Sequence, residues 1–167
     1  MPAWSLFLPD ADATERLGHW LGQTARPGDV LLLHGNLGAG KTTLVRGLAR
    51  GLALDAEVTS PTFALVQTYG GHPALHHLDL YRLETAEVLA AGLDEYWEAG
   101  DAVCAIEWPE RLRGDGLDLR PAASLALSLT AEEPEGRQAA FQAETGGRPS
   151  EWLAALETVA REAGVVA

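Results

Sequence analysis

Residues 35–42 read Gly-Asn-Leu-Gly-Ala-Gly-Lys-Thr, which matches the G-x-x-x-x-G-K-[ST] pattern of a phosphate-binding loop. Glycines allow backbone N–H groups to turn inward around a phosphate chain, and the helix predicted from residue 43 adds its positive N-terminal end. In such a loop Lys41, the only lysine of the sequence, contacts the β- and γ-phosphates. The Thr42 hydroxyl is a ligand for Mg²⁺. These residues, which we call the phosphate loop, predict a nucleotide site.

Two carboxylates end predicted strands further along the chain. Asp79 lies near the end of the largely apolar run 74–80, a position from which a carboxylate commonly helps a phosphate loop to hold Mg²⁺. A turn or a helix cap is the alternative. Glu107 follows the apolar run 102–106, and open α/β sheets bind ligands at such strand ends. Glu107 could contact Mg²⁺ directly or through water, or orient the attacking water, whereas a surface glutamate is the alternative.

Residues 59–63, Thr-Ser-Pro-Thr-Phe, lie between the helix after the loop and the Asp79 strand. Nucleotide hydrolases carry a switch segment at this place, ordered by the γ-phosphate and its Mg²⁺. Ser60 and Thr62 supply hydroxyl groups. A Ser-Pro turn that enters a strand explains the same residues, so the sequence leaves both interpretations open.

Other residues near these motifs need a weaker interpretation. His76 and His77 alternate along the Asp79 strand and therefore face opposite sides, and no Cys or His lies at metal spacing from them. We interpret both as packing residues. Trp108 follows Glu107 directly and is predicted to shape the pocket.

Strand and helix patterns alternate along the chain. Strands are predicted at residues 4–8, 30–33, 64–69, 74–80, 102–106, 124–130 and 137–144. Helices are predicted to start at a capping box beginning with Asp12, after the loop at residue 43, at a Thr85 N-cap and at a Ser150 N-cap. The helix that starts at Thr85 is predicted to run to Trp97. This order predicts an α/β fold, a three-layer P-loop NTPase-like sandwich whose mixed sheet has a parallel centre and antiparallel additions. Residues 1–167 are expected to form one domain.

Composition limits the environment and the partners. The chain has 12 basic and 24 acidic residues and a net charge of −12, which disfavours independent binding of tRNA or DNA. No apolar run is long enough to span a membrane, and no signal-peptide pattern is present at the N-terminus. The single cysteine, Cys104, lies in an apolar run and is expected to be a buried thiol. We therefore expect a cytoplasmic protein.

Four motifs together resemble one family. They are Gly-Asn-Leu-Gly-Ala-Gly-Lys-Thr-Thr at 35–43, Ser-Pro-Thr-Phe at 60–63, His-Leu-Asp-Leu-Tyr-Arg-Leu at 77–83 and Ile-Glu-Trp-Pro-Glu at 106–110. In order and spacing they resemble the TsaE family, the small bacterial ATPases of tRNA threonylcarbamoyladenosine biosynthesis. Asn36 and Leu44 depart mildly from the family pattern, and neither is a proposed ligand.

The resemblance implies a set of roles for particular residues. It places Mg²⁺ among Thr42, Asp79 and Glu107, and it makes residues 60–63 the switch. Lys41, Thr62, Asp79 and Glu107 are the expected catalytic residues. The resemblance also suggests that Arg137 lies near the nucleotide base. The expected contacts to ATP are Leu37, Gly38, Ala39, Gly40, Lys41, Thr42, Thr43 and Arg137.

The resemblance further implies a partner, the TsaB–TsaD heterodimer, which installs the threonylcarbamoyl group on adenosine 37 of tRNA. ATP hydrolysis by the TsaE-like chain would reset that complex, and tRNA would be contacted only through the partners. A small-molecule kinase is an alternative, for which Arg111, Arg113 and Arg120 could supply a cationic lid. An adaptor that binds ATP with little turnover is a third interpretation.

Overall fold

The computed structural model describes residues 3–61, 64–143 and 146–165. Its strands are β1 Ala3–Leu8, β2 Val30–His34, β3 Val66–Tyr69, β4 Leu75–Asp79, β5 Val103–Glu107, β6 Arg113–Gly114, β7 Leu117–Asp118, β8 Leu125–Glu132 and β9 Gly136–Gln142. Its helices are α1 Ala11–Thr24, α2 Lys41–Gly51, α3 Thr85–Ala90, α4 Glu95–Glu98 and α5 Arg148–Glu162, with a 3-10 turn at Pro109–Leu112.

Seven of these strands form one mixed sheet in the order β1-β9-β8-β2-β5-β4-β3. The four central strands β8, β2, β5 and β4 are parallel to their neighbours within this group. β3 at one edge and β9 and β1 at the other are antiparallel additions. The predicted sheet, with its parallel centre and antiparallel additions, is therefore confirmed.

The alternation of side chains along the central strands produces two cores, one on each face of the sheet. On one face Leu31, Leu33 and Ala105 pack with residues of α1, α2 and α5. On the other face Leu32 and Ile106 pack with residues of α3, α4 and the 3-10 turn. Helices on both faces make the predicted three layers, and they cover the central strands as a parallel sheet requires.

The helix starts correct three details of the prediction. α1 is capped by Asp10, whose carboxylate accepts the Ala13 N–H at 2.8 Å, and does not begin with a capping box at Asp12. α3 is preceded by Glu84, whose N–H donates to Glu87, so Thr85 is the first helical residue and lies buried. α5 is preceded by Gly147 and already includes Ser150. In each case the first helical residue lies one to three positions before the predicted one.

The predicted helix that runs from residue 85 to residue 97 is divided in two. Gly92 takes a φ of 69°, in the left-handed region that ends helices, and the chain turns there before α4 begins.

Cys104 is 1% exposed, as predicted, and its Sγ donates to the Tyr96 carbonyl at 3.2 Å. Burial, with a smaller contribution from Asp101, raises the pKa of this thiol to about 12. Cys104 is therefore a core residue.

α1 and α2 pack unusually closely, through glycines spaced four residues apart on each helix. A Cβ atom on Gly18 would collide with the Leu44 carbonyl oxygen, and one on Gly47 would collide with the Glu15 carbonyl oxygen. Gly22 and Gly51 make the next contact along the same line. Since α2 starts at Lys41, this contact positions the helix that follows the phosphate loop.

Among the described residues, no helix combines the length and the apolar character that a bilayer crossing needs.

Candidate nucleotide site

The phosphate loop lies between the end of β2 and the start of α2, as its motif predicts. Gly40 directly precedes α2 and has a φ of 99°, which residues with a side chain rarely adopt. Its carbonyl accepts the Leu44 N–H at 2.9 Å, the first hydrogen bond of the helix. The N-terminal N–H groups of α2 therefore open toward the loop, where a helix favours an anion.

A cleft of about 380 Å³ lies beside the loop and brings most of the predicted site residues together. Its lining consists of Leu37, Gly38, Gly40, Lys41, Thr42, Thr43, Ser60, Asp79, Glu107, Trp108 and Arg137. Ala39 is buried and lines an adjoining cavity of about 300 Å³ between the loop and β8. Thr62 lies outside the described residues, and its catalytic role stays a prediction.

Lys41 is buried at the floor of this cleft and is 5% exposed. Its Nζ donates to the Gly35 carbonyl oxygen at 2.7 Å and lies 3.7 Å from Glu107 Oε1. The same atom lies 4.3 Å from the centroid of the Trp108 ring. A carbonyl dipole, a carboxylate and an aromatic face all interact favourably with a cation, so these contacts offset part of the cost of burying the Lys41 side chain.

Asp79 and Glu107 are register partners at the carboxyl ends of the parallel strands β4 and β5. Both side chains are buried, and Oδ1 of Asp79 accepts the Tyr81 N–H at 3.0 Å. With the Thr42 hydroxyl they supply oxygen donors, which Mg²⁺ prefers, and Mg²⁺ commonly takes one or two carboxylates together with phosphate oxygens. The residues therefore fit the predicted ion. This set contains only two carboxylates, and its third member is a hydroxyl group. Within the described ranges, no three or more side chains of His, Cys, Asp or Glu are grouped so that they alone could hold a metal ion.

His77 is a site residue whose role the sequence interpretation missed. It is fully buried on β4, and its Nε2 lies 2.6 Å from Glu107 Oε2. Together with Lys41 near Oε1, this contact gives each oxygen of Glu107 one partner. The signal was present in the sequence, because period two places His77 on the same side of the strand as Asp79.

Replacing His77 with leucine is expected to lower the free energy of unfolding by about 1–3 kcal/mol, because Glu107 Oε2 would stay buried without its hydrogen-bond partner. His77→Gln is the matched control, since its amide N–H can donate to the same oxygen and should restore most of the stability. Urea unfolding followed by circular dichroism measures both variants. An equal loss in the two would show that only the packing of the imidazole ring matters.

Trp108 reaches the cleft through an unusual backbone conformation. Its φ of 58° and ψ of 52° lie in the left-handed region, which is rare for a bulky residue and costs on the order of 1–3 kcal/mol. The ring then lies over Lys41 and against Tyr81, with ring centroids 4.7 Å apart. Trp108 thus lines the pocket that its place in the sequence predicted.

The 3-10 turn that follows Trp108 is also held to β2. Glu110 Oε1 on this turn lies 2.7 Å from Nδ1 of His34, the last residue of β2.

Ser60 is the described residue of the predicted switch that lines the cleft. Just before it, the Thr59 N–H donates to the Tyr69 hydroxyl at 3.3 Å. Phe63, like Thr62, is outside the described residues. The switch interpretation of residues 60–63 therefore stays a prediction.

The arginines after Glu107 do not line the cleft. Arg111 donates to the Tyr81 carbonyl at 3.3 Å, and the guanidinium group of Arg120 makes two hydrogen bonds to Asp118 at 2.8 and 2.7 Å. The cationic lid that a kinase would need thus has no support from this cluster.

Arg137, by contrast, lines the cleft and donates to carbonyl oxygens of the phosphate loop. Its predicted place near the base stays a prediction.

A mixed sheet covered on both faces, with this loop between a central parallel strand and a helix, defines the P-loop NTPase-like class of fold. The family described as "Threonylcarbamoyl adenosine biosynthesis protein TsaE" matches residues 8–139. This chain therefore belongs to the TsaE family, as the four motifs predict.

Individual relatives agree with that assignment. The tRNA threonylcarbamoyladenosine biosynthesis protein TsaE of a Nostoc species is 45% identical over 138 residues, which is 80% of this chain and 82% of the relative. The protein of the same name from a Synechocystis species is 50% identical over 110 residues, 64% of this chain and 70% of the relative. The crystal structure of Bacillus subtilis YdiB superposes with a TM-score of 0.76 at 30% identity, covering 95% of this chain and 96% of YdiB.

Proposed function

We propose that this protein binds Mg-ATP in the cleft beside the phosphate loop and hydrolyses it during biosynthesis of threonylcarbamoyladenosine at position 37 of tRNA, in the cytoplasm. The observation that carries the proposal is the meeting of Lys41, Asp79 and Glu107 in one cleft beside that loop, in a member of the TsaE family. The two relatives compared above bear this biosynthesis in their names.

Each group of the cleft has a role in this proposal. N–H groups of the loop and the start of α2 bind the β- and γ-phosphates, and Lys41 exchanges the Gly35 carbonyl for a phosphate oxygen. Thr42, Asp79 and Glu107 hold Mg²⁺, which when bound neutralises charge on the phosphates. His77 at Oε2 keeps Oε1 of Glu107 directed toward Lys41, where it can contact the ion or orient a water molecule.

In this proposal the chain is a weak ATPase when it is alone, and its activity depends on its partners, the TsaB–TsaD heterodimer. Among the described residues Arg137 is the only arginine that lines the cleft, and its guanidinium group is bound to loop carbonyls. A group that stabilises the transferring phosphate would therefore come from another chain, as in systems that use an arginine in trans. The net charge of −12 agrees with tRNA contact through the partners.

Phosphate release from Mg-ATP tests this proposal, measured for the protein alone, with TsaB–TsaD, and with TsaB–TsaD and tRNA. We expect slow release alone and a clear acceleration with the partners, up to the factor of about 10³–10⁵ that a group supplied in trans can give. Direct titration with tRNA should show no tight binding to the isolated chain.

The alternatives give different results in the same assay. Full-rate hydrolysis without partners would contradict partner dependence, and tight binding of tRNA by the isolated chain would contradict the charge argument. ATP binding without turnover under any condition would favour an adaptor. Appearance of a phosphorylated metabolite in place of free phosphate would favour a kinase.

A further inference from the structure

The guanidinium group of Arg137 is surrounded by carbonyl oxygens. Nε donates to the Ala39 carbonyl at 3.0 Å, and Nη2 donates to the Gly38 carbonyl at 3.0 Å. Nη1 donates to the carbonyls of Gly136 at 2.7 Å and Glu135 at 3.3 Å. The side chain therefore joins two consecutive peptide units of the phosphate loop to the start of β9, although 98 and 99 residues separate them in sequence.

These two bonds determine how the loop peptides are turned. In a trans peptide the C=O and N–H groups point in opposite directions. A carbonyl of Ala39 held by Arg137 thus directs the Gly40 N–H away from the guanidinium group. The carbonyl of Gly38 is held in the same way, and the N–H of that peptide, on Ala39, donates to the Asn36 carbonyl at 3.1 Å. Both peptide planes leading into α2 are fixed.

The support of Arg137 is rigid. It lies on β9, opposite Leu8 of β1 and Ala131 of β8, so both neighbouring strands hold its backbone. The planar fork of a guanidinium group can bind two adjacent carbonyls at once, which a lysine ammonium cannot do with the same geometry. A Cβ atom added to Gly40 would lie 3.8 Å from Nε of Arg137. The Arg137 side chain therefore lies directly against the residue that precedes α2.

We propose that Arg137 is a positioning residue that fixes the Gly38–Ala39 and Ala39–Gly40 peptides before any nucleotide is present, so that the Gly40 N–H is oriented for binding phosphate, and that it does not select the base. The inference rests on the proposed function to the extent that the loop binds the phosphates of a nucleotide. It assigns to Arg137 a role different from the base contact that the family resemblance suggests.

The first test needs no nucleotide. Backbone amide NMR spectra of wild type, Arg137→Gln and Arg137→Lys are recorded on the full chain without ligand. We expect shifts or exchange broadening at Ala39, Gly40 and Lys41 in both variants, with the α5 amides unchanged. Arg161→Gln is the control and should leave the loop amides as in wild type. Arg161 lies on α5, and its contact is to Glu157 on the same helix. Loop amides identical to wild type in the Arg137 variants would overturn the proposal.

The second test separates phosphate from base. Dissociation constants are measured for inorganic tripolyphosphate, ATP and GTP, each with Mg²⁺. We expect Arg137→Gln and Arg137→Lys to weaken all three by a similar factor of about thirty, the factor for two hydrogen bonds of ordinary net strength. The ratio of ATP to GTP affinity should not change.

Two binding results would overturn the positioning role. Wild-type tripolyphosphate affinity in Arg137→Lys would show that charge alone is enough, and a loss confined to ATP would identify Arg137 as a base contact. If wild type binds none of the three ligands, the proposed function fails, while the ligand-free spectra still decide whether Arg137 orders the loop.

Discussion

Replacing Lys41 with methionine is expected to slow ATP hydrolysis by about 10²–10³-fold, the scale of losing one preorganised group that stabilises the transition state. Methionine retains much of the buried stem of Lys41 and removes the ammonium group, with its charge and its hydrogen bond to the Gly35 carbonyl. The variant should therefore lose turnover far more than it loses structure. Phosphate release is measured with TsaB–TsaD present, where the rate is highest.

The control for this prediction is Arg46→Met, which removes a cation from an exposed position of the same helix and should leave hydrolysis unchanged. Stability must be measured too, because Lys41 is also a partner of the buried Glu107. Glu107 keeps His77 as a partner in the variant, so we expect a folded protein. Normal hydrolysis by folded Lys41→Met would refute the assignment of the phosphate loop.

Replacing Gly47 with alanine is expected to destabilise the protein by about 3 kcal/mol, although alanine is the better helix former. In an exposed helix the change would stabilise by about 1 kcal/mol. Here the new methyl group meets the backbone carbonyl of Glu15, which cannot rotate away as a flexible side chain could. Overpacking against a rigid neighbour costs about 1–3 kcal/mol or more, and moving α1 away from α2 opens the core between them.

Urea unfolding measures this effect, with Gly70→Ala as the control, since a Cβ atom at Gly70 has nothing within 4 Å. The control should change the free energy of unfolding by less than about 0.5 kcal/mol. Stabilisation by Gly47→Ala would show that α1 and α2 are further apart than described. Because α2 begins at Lys41, a destabilised variant that still folds should also bind nucleotide more weakly.

Most strands of the fold could be predicted, because a short apolar run between turn residues describes a buried strand well. The runs around β2, β4 and β5 are of this kind, and each was located within one or two residues. The sequence locates the helix starts less closely, since several residues near each start can act as a cap. At α1, both Asp10 and Asp12 are suitable, and only the bond from the Ala13 N–H to Asp10 decides between them.

The glycines of α1 and α2 follow a spacing that can be seen in the sequence. Gly18 and Gly22 on one helix, and Gly47 and Gly51 on the other, have the spacing of small residues that lets two helices approach closely. The pattern predicts a close contact for each helix but does not say with which partner. The tertiary structure supplies that partner.

The sequence by itself determined the phosphate loop, because all groups of that motif lie within eight neighbouring residues and depend only on local backbone geometry. It also determined that Asp79 and Glu107 end strands, since strand length can be read from the apolar runs. Only the tertiary structure decided that His77 contacts Glu107, 30 residues away, and that Arg137 holds Gly38, 99 residues away. Such contacts follow from strand order and register, which arise when the whole sheet assembles and which no local pattern specifies.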